Sequence, residues 1–120
     1  MAVDQHTLDF AVSQFAELGH ITVKKMFGGA GLYADGMIFA LLDDGEIYIK
    51  VDAVNQPEFE AIGSQIFTYA VDETGPKTLN YWLLDSDRLA EKAECLKYGQ
   101  LGIEASLRAA EKKKPKKPKL

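Results

Sequence analysis

Apolar side chains recur at helical spacing near the start of the chain. The members of this apolar stripe are Leu8, Ala11, Val12, Phe15 and Leu18. Their three- and four-residue spacing predicts a helix over residues 4–18. Asp4 or Thr7 suits its start, and Gly19 occupies the position where a left-handed residue commonly ends a helix.

Shorter apolar runs follow the first helix and indicate strands. The runs are Ile21–Met26, which is the weakest, and then Gly31–Ala34, Met37–Leu42 and Glu46–Val51. Asp35-Gly36 and Asp44-Gly45 separate the last three runs. Because both central positions of a type I′ turn take positive φ, an Asp-Gly pair between apolar runs is a strong hairpin signal. The pattern therefore predicts a three-stranded meander.

The second half of the chain alternates between helical and strand patterns. A short helix is predicted at Pro57–Ile62, with strands at Ile66–Val71 and Thr78–Leu84. Asp85 then begins a helical region that reaches Ala110, with a predicted interruption near Gly99, because glycine weakens a helix. The predicted fold class is α+β, a two-layer fold with a mainly antiparallel sheet and the order α-β(3)-α-β(2)-α.

The run Met37–Leu42, MIFALL, departs from the alternation expected of a half-exposed strand. Glu46–Val51 does alternate, with isoleucine and valine on one face. MIFALL has no polar residue on either face, so both of its faces are expected to be covered. The two candidate covers are the C-terminal helix and a second copy of the chain, and the second would make a homodimer.

Composition limits the class of protein. The chain has 120 residues, 47% of them apolar, which is enough for one domain with its own core. Its apolar runs are shorter than a membrane span, and the N-terminus lacks the pattern of a signal peptide. A single cysteine, Cys95, favours a reducing compartment, so a cytoplasmic location is predicted.

The charge is distributed unevenly. Residues 111–120 carry six lysines and one glutamate, whereas residues 1–110 carry 8 basic and 17 acidic side chains. We therefore predict a domain over 1–110 and a disordered Lys/Pro-rich basic tail over 111–120. The tail could solubilise the chain, lie on the acidic domain, or make weak, non-specific contacts with nucleic acid. The lysines available for such contacts are Lys112, Lys113, Lys114, Lys116, Lys117 and Lys119.

The segment Lys24–Gly36, KKMFGGAGLYADG, contains four glycines and raises the question of a phosphate loop. No Lys-Ser/Thr pair follows the glycines, and the next segment is predicted as a strand, so no helix N-terminus is available to bind an anion. Turns and close backbone packing explain the glycines better. A small-molecule site at the Gly28–Gly31 loop is kept as a lesser alternative.

Candidate catalytic groups are sparse. His6, His20 and Cys95 show neither zinc-ligand spacing nor a nucleophile–base pattern, and the acidic residues near Asp44 are typical of a turn. We therefore predict no enzyme activity, no metal and no cofactor. Tyr48 and Trp82 are candidates for a face that binds a partner, because aromatic residues anchor protein interfaces.

The glycine segment and the strands after it resemble the N-terminal domain of the TfoX (Sxy) family of bacterial regulators of DNA transformation. The residues that carry the resemblance are Met26, Phe27, Gly28, Gly29, Gly31, Leu32, Tyr33, Gly36, Phe39, Tyr48 and Lys50. Looser similarity extends over residues 8–110. The resemblance implies the same α-β(3)-α-β(2)-α order, similar to secretion chaperones.

The resemblance also implies a function. Members of this family are transcriptional co-activators of competence genes, act with the cyclic-AMP receptor protein and are not enzymes. Full-length members have a second, C-terminal domain, whereas this chain is predicted to be a stand-alone version with the lysine tail in its place. We therefore expect a regulatory or adaptor domain that acts through protein–protein contacts, with a partner in the transcription machinery.

Overall fold

The computed structural model describes residues 5–26 and 29–113. Their elements, in chain order, are α1 (Gln5–Phe15), a 3₁₀ turn (Ala16–Leu18), β1 (Ile21–Met26), β2 (Gly29–Ala34), β3 (Met37–Asp43), β4 (Glu46–Lys50), α2 (Gln56–Ala61), β5 (Ile66–Asp72), β6 (Gly75–Leu84), α3 (Ser86–Ala90) and α4 (Lys92–Lys113). The predicted α+β class is confirmed. The weak run before the meander is a full strand, so four strands rather than three precede α2.

The six strands form one antiparallel sheet in the order β1-β2-β3-β4-β6-β5. Both predicted Asp-Gly turns are confirmed. Asp35 and Gly36 have φ of 49° and 85°, and Asp44 and Gly45 have φ of 51° and 76°. These two turns connect β2, β3 and β4 into the predicted meander.

The helices cover one face of this sheet, and the core lies between the two layers. Phe15 of α1 meets Phe39 of β3 edge-to-face, with ring centroids 5.1 Å apart. Phe59 of α2 meets Tyr98 of α4 at 5.3 Å. All four side chains are buried. The apolar stripe of α1 therefore packs against the sheet, and α2 packs against α4 within the helical layer.

The predicted interruption of the last helix near Gly99 is wrong. The helical region breaks at Glu91, which has an extended conformation, and α4 then runs without a break from Lys92 to Lys113. Gly99 and Gly102 are buried in its packed side: a Cβ on Gly99 would lie 2.8 Å from the Phe15 ring. These glycines let α4 approach α1 and the sheet closely, which compensates for their low helix propensity.

A β-bulge explains the MIFALL run. Leu32 pairs with Ala40, but Tyr33 pairs with Ile38, which leaves Phe39 as an extra residue in β3. The bulge places Phe39 and Ala40 on the same, helix-covered side of the strand. The C-terminal helix, one of the two predicted covers, packs on this side, where the Ser106 hydroxyl donates a hydrogen bond to the Ile38 carbonyl.

The loop after β4 is connected to α4 by a buried amide. The Asn55 side chain donates hydrogen bonds to the carbonyl oxygens of Lys50, at 3.3 Å, and Leu101, at 2.9 Å. Its oxygen accepts from the Asp52 N–H at 2.8 Å. One side chain therefore connects β4, the loop and the last helix through three hydrogen bonds.

Asp52 makes a second connection to α4. Its two carboxylate oxygens accept hydrogen bonds from Nε and Nη2 of Arg108, at 2.6 and 2.9 Å. The backbone N–H groups of Val54 and Asn55 also donate to this carboxylate, at 3.1 Å each. The bond from Arg108 is the main reason that the pKa of Asp52 is lowered, and the backbone donors add to it.

We expect Arg108→Gln to lower the free energy of unfolding by about 1.5 kcal/mol at neutral pH, because a charge-assisted, bidentate pair is lost. Since the folded-state pKa of Asp52 is below its unfolded value of about 3.9, this stabilisation is present above that value and is lost as pH falls through the folded pKa. Urea unfolding at neutral pH and at an acid pH below the folded-state pKa of Asp52 tests this expectation.

Lys97→Gln is the matched control for Arg108→Gln. Lys97 pairs with Glu58 at 3.8 Å, and both side chains are about half exposed, so we expect its effect to stay within about 0.5 kcal/mol. An equal loss for Arg108→Gln at both pH values would contradict the assigned role of the ion pair.

Candidate functional site: the open face of the sheet

The face of the sheet turned away from α1 and α4 carries a second apolar layer, which we call the open face. Leu41 pairs with Tyr48, and Tyr48 pairs with Leu83, so these side chains form a row across three strands. The apolar and aromatic side chains of the open face are Tyr33, Ile38, Leu41, Tyr48, Tyr81 and Leu83. An antiparallel sheet normally has one solvated, polar face, so an apolar open face indicates a binding surface.

Strands β5 and β6 extend this face as a two-stranded arm, which we define as residues 67–79. Ile66 pairs with Trp82, but the next residue, Phe67, pairs with Leu79. Two extra residues of β6 therefore lie at the base of the arm and bend it. Beyond this bulge the arm is exposed: 57% of Tyr69, 74% of Val71 and 45% of Leu79 are accessible to solvent.

Phe67 joins the arm to the open face. Its ring lies 4.8 Å from that of Tyr48 and 6.4 Å from that of Tyr69, measured between centroids. Phe67 and Leu79 also line an apolar groove of about 290 Å³ together with Leu41. The arm and the open face are therefore one continuous apolar surface, with aromatic side chains of the type that anchor protein interfaces.

Tyr48 and Tyr81 of the open face keep their phenolic protons at neutral pH. Burial raises the pKa of Tyr48, and the negative charges of Glu46, Asp43 and Asp44 raise it further. Burial, with a smaller contribution from Tyr33, raises the pKa of Tyr81 to about 12. Both hydroxyls therefore remain neutral hydrogen-bond donors on an apolar surface with an acidic rim.

The residues that carry the family resemblance fall into two groups. Leu32 and Phe39 are buried in the core, and Gly29 and Gly31 are buried in β2. Tyr33, Tyr48 and Lys50 are half-buried on the open face. Gly36 is part of the turn between β2 and β3. Met26 ends β1, and Phe27 and Gly28 lie outside the described residues.

The glycine segment continues directly into a strand. The strand β2 begins at Gly29, two residues before the predicted start at Gly31, and a Cβ on Gly29 would clash with the carbonyl oxygen of Leu42 on the neighbouring strand. This glycine is therefore required by close backbone packing. The groove beside Leu41 also reaches Gly29, so the small-molecule site at Gly28–Gly31 stays a prediction, with Gly28 outside the described residues.

Tyr48 and Trp82, the two aromatic residues predicted for a partner face, lie on opposite faces of the sheet. Tyr48 is on the open face, whereas Trp82 pairs with Ile49 and packs against the core on the helix side. The Trp82 indole donates a hydrogen bond to Asn80 at 3.0 Å. The exposed arm was not predicted from the sequence. The available signal was the presence of apolar residues on both of its strands, β5 and β6.

The predicted basic tail lies mostly beyond the described residues. The helix α4 continues through Lys113, three residues into the segment assigned to the tail, and Lys112 is exposed near its end. The other lysines proposed for nucleic-acid contact, Lys114, Lys116, Lys117 and Lys119, lie outside the described residues. Their contact with nucleic acid stays a prediction.

Cys95 lies in a buried environment that lowers the reactivity of its thiol. It is fully buried in α4, and burial raises the pKa of its thiol to about 12, so the nucleophilic thiolate is scarce at neutral pH. His6 and His20 are exposed. Within residues 5–26 and 29–113, no three acidic, histidine or cysteine side chains form a group that could hold a metal ion.

Over the same described residues, no helix combines the length and apolar character needed to cross a membrane.

Comparison with known proteins supports the resemblance noted in the sequence. The model of the TfoX N-terminal domain family matches residues 13–106. The DNA transformation protein TfoX1 of Aliivibrio fischeri is 34% identical over 102 residues, which cover 83% of this chain and 47% of that protein. The chain thus spans about half the length of this curated relative. It belongs to the TfoX N-terminal domain family.

Proposed function

We propose that this chain is a non-enzymatic regulatory or adaptor domain of DNA transformation, located in the cytoplasm, that acts by binding a protein of the transcription machinery. Its membership of the TfoX N-terminal domain family and its similarity to a DNA transformation protein support the process. The exposed apolar side chains of the arm, next to the half-buried open face, support the mode of action, because exposed apolar surface marks protein interaction sites.

The observation that carries the proposal is the exposure of the arm. Tyr69 and Leu79 share one side of the arm with the buried Phe67, and with it they line a cleft beside Asp43. An isolated two-stranded hairpin is marginally stable in water. Val71 pairs with Pro76 and lies on the other side of the arm, because Tyr69 is an extra residue in β5. A partner that enclosed the arm would bury Tyr69, Leu79 and Val71 and hold the arm in place, which is a physical reason for binding there.

A photo-crosslinking amino acid at the position of Tyr69 tests this proposal in the native host. We expect a specific crosslinked protein, and we expect Val71→Lys to lower its yield about tenfold, the effect of losing about 1.4 kcal/mol of binding free energy. Transcription of competence genes should fall in parallel, because the same contact carries the regulation.

The matched control uses Val54, which is 67% exposed but lies in the loop between β4 and α2, away from the arm. Val54→Lys should leave both the crosslinking yield and transcription unchanged. Equal yields from crosslinkers placed at Tyr69 and Val54 would argue against the arm as the binding surface.

A second copy of the chain is the other occupant that the open face would accept. The homodimer predicted from the sequence would use the same apolar surface, so the two interactions would compete. Light scattering distinguishes them: a mass of two chains that Val71→Lys halves assigns the arm to the dimer, and a mass of one chain excludes the dimer.

A further inference from the structure

Strand β1 ends the sheet on the side opposite the arm. It pairs with β2 over its whole length, from Ile21 to Met26, and in the sheet formed by the described residues it has no second neighbour. An edge strand directs half of its backbone N–H and C=O groups away from the sheet. An extended polypeptide can pair with these groups by adding a strand.

A groove runs beside this edge, between β1 and α1. Leu8 and Val12 of the helix and Val23 of the strand provide its apolar lining, and Lys25 and Asp9 contribute polar side chains. The groove measures about 590 Å³, and Val23 is 38% exposed within it. A strand edge next to an apolar groove offers backbone pairing and a side-chain pocket to the same extended peptide.

The charge of this edge differs from that of the rest of the domain. The sequence of β1, ITVKKM, contains Lys24 and Lys25 and no acidic residue, while residues 1–110 carry more than twice as many acidic as basic side chains. Both lysines are exposed. Alternation along the strand directs Lys25 to the groove side and Lys24 to the open-face side.

We propose that the edge of β1 binds an extended, acidic peptide segment of a partner protein, which adds a seventh strand to the sheet. An apolar side chain of the segment enters the groove between Val12 and Val23, and acidic side chains on either face meet Lys24 and Lys25. This inference rests on the proposed protein-binding function, but it uses a surface separate from the arm.

Edge lysines also have a simpler role, because charge on an edge strand prevents pairing between sheets. Replacing both lysines by glutamate distinguishes the two roles. Glutamate keeps a charged edge and therefore keeps the protection, but it reverses the charge offered to a peptide. Recognition is thus changed by the double variant Lys24→Glu/Lys25→Glu, whereas protection is not.

The test is selection from a phage-displayed library of random peptides longer than the six residues of β1, on the 120-residue chain and three variants. The wild type should enrich peptides that alternate acidic and apolar residues. The charge-swapped double variant should enrich basic ones, and Val12→Arg, which fills the groove, should reduce recovery at least tenfold. Circular dichroism confirms that each variant is folded.

Val71→Lys, the arm variant, separates this inference from the proposed function, since it should recover the same peptides as the wild type. Recovery of the same peptides on the wild type and the charge-swapped variant, or of none on the wild type, would overturn the inference. Crosslinking at Tyr69 would then still test the proposed function by itself.

Discussion

Gly29→Ala is expected to lower the free energy of unfolding by about 3 kcal/mol, the upper part of the range for overpacking. A Cβ at this position would stand 2.2 Å from the Leu42 carbonyl oxygen, and the Leu42 carbonyl carbon and the Cα of Asp43 are also near. All three atoms belong to the backbone of β3. The strand itself would therefore have to move, since no flexible side chain can make room.

Gly36→Ala is the comparison that isolates this clash. Gly36 has a φ of 85°, and nothing lies within 4 Å of the position that a Cβ would take, so its substitution costs only the conformational energy, about 1 kcal/mol. Urea unfolding of both variants measures the difference. Equal losses would show that close packing at Gly29 contributes little and would weaken the structural explanation of the glycine segment.

Asn55→Asp is expected to lower the free energy of unfolding by about 3 kcal/mol at neutral pH. The replacement keeps the size of the side chain but removes both of the donated hydrogen bonds, to the carbonyl oxygens of Lys50 and Leu101. It also places a negative charge in a buried position beside those two oxygens. The loop would then lose its direct link to the middle of α4.

The pH dependence of this variant has a defined sign. Burial beside two carbonyl oxygens raises the folded-state pKa of the new carboxyl group above its unfolded value of about 3.9. The penalty relative to wild type is therefore smallest below about pH 4 and grows as pH rises through the folded-state pKa. Urea unfolding across this range measures it.

Asn80→Asp is the matched control for Asn55→Asp. Asn80 is exposed, and its side-chain oxygen only accepts a hydrogen bond, from Trp82, which a carboxylate also does. Its effect should stay within about 0.5 kcal/mol at every pH. A penalty for Asn55→Asp that is equally small would contradict the role assigned to the buried amide.

The parts of the fold that the sequence predicts well are those determined locally. The Asp-Gly turns impose positive φ on two adjacent residues whatever surrounds them, so β2, β3 and β4 follow from short-range chemistry. Asp85 likewise begins α3, where its carboxylate accepts a hydrogen bond from the Arg88 N–H at 3.2 Å.

The parts that the sequence does not predict depend on tertiary contacts. Gly99 and Gly102 weaken an isolated helix, yet α4 passes through both, because their missing side chains let it pack against α1 and β3. The bulge at Phe39 depends on the pairing of β2 with β3. No local pattern in MIFALL reveals which of its residues is the extra one.

The candidate site was predictable only in part. Alternation in Glu46–Val51 correctly puts Tyr48 on the face opposite the isoleucines. It cannot show that Trp82 faces the core while Tyr81 faces outward, because that choice depends on how β6 pairs with β4. The exposed arm depends in turn on the bulge at Asn80 and Tyr81, between Leu79 and Trp82, and that bulge has no recognisable sequence signature.

The most direct test of the central claim is transformation frequency in a native-host strain that lacks the gene. We predict that the wild-type chain and Val54→Lys restore transformation equally and that Val71→Lys fails to restore it, although it accumulates as folded protein to the same level. Full restoration by Val71→Lys would contradict the claim that this domain regulates DNA transformation through protein contacts at its exposed arm.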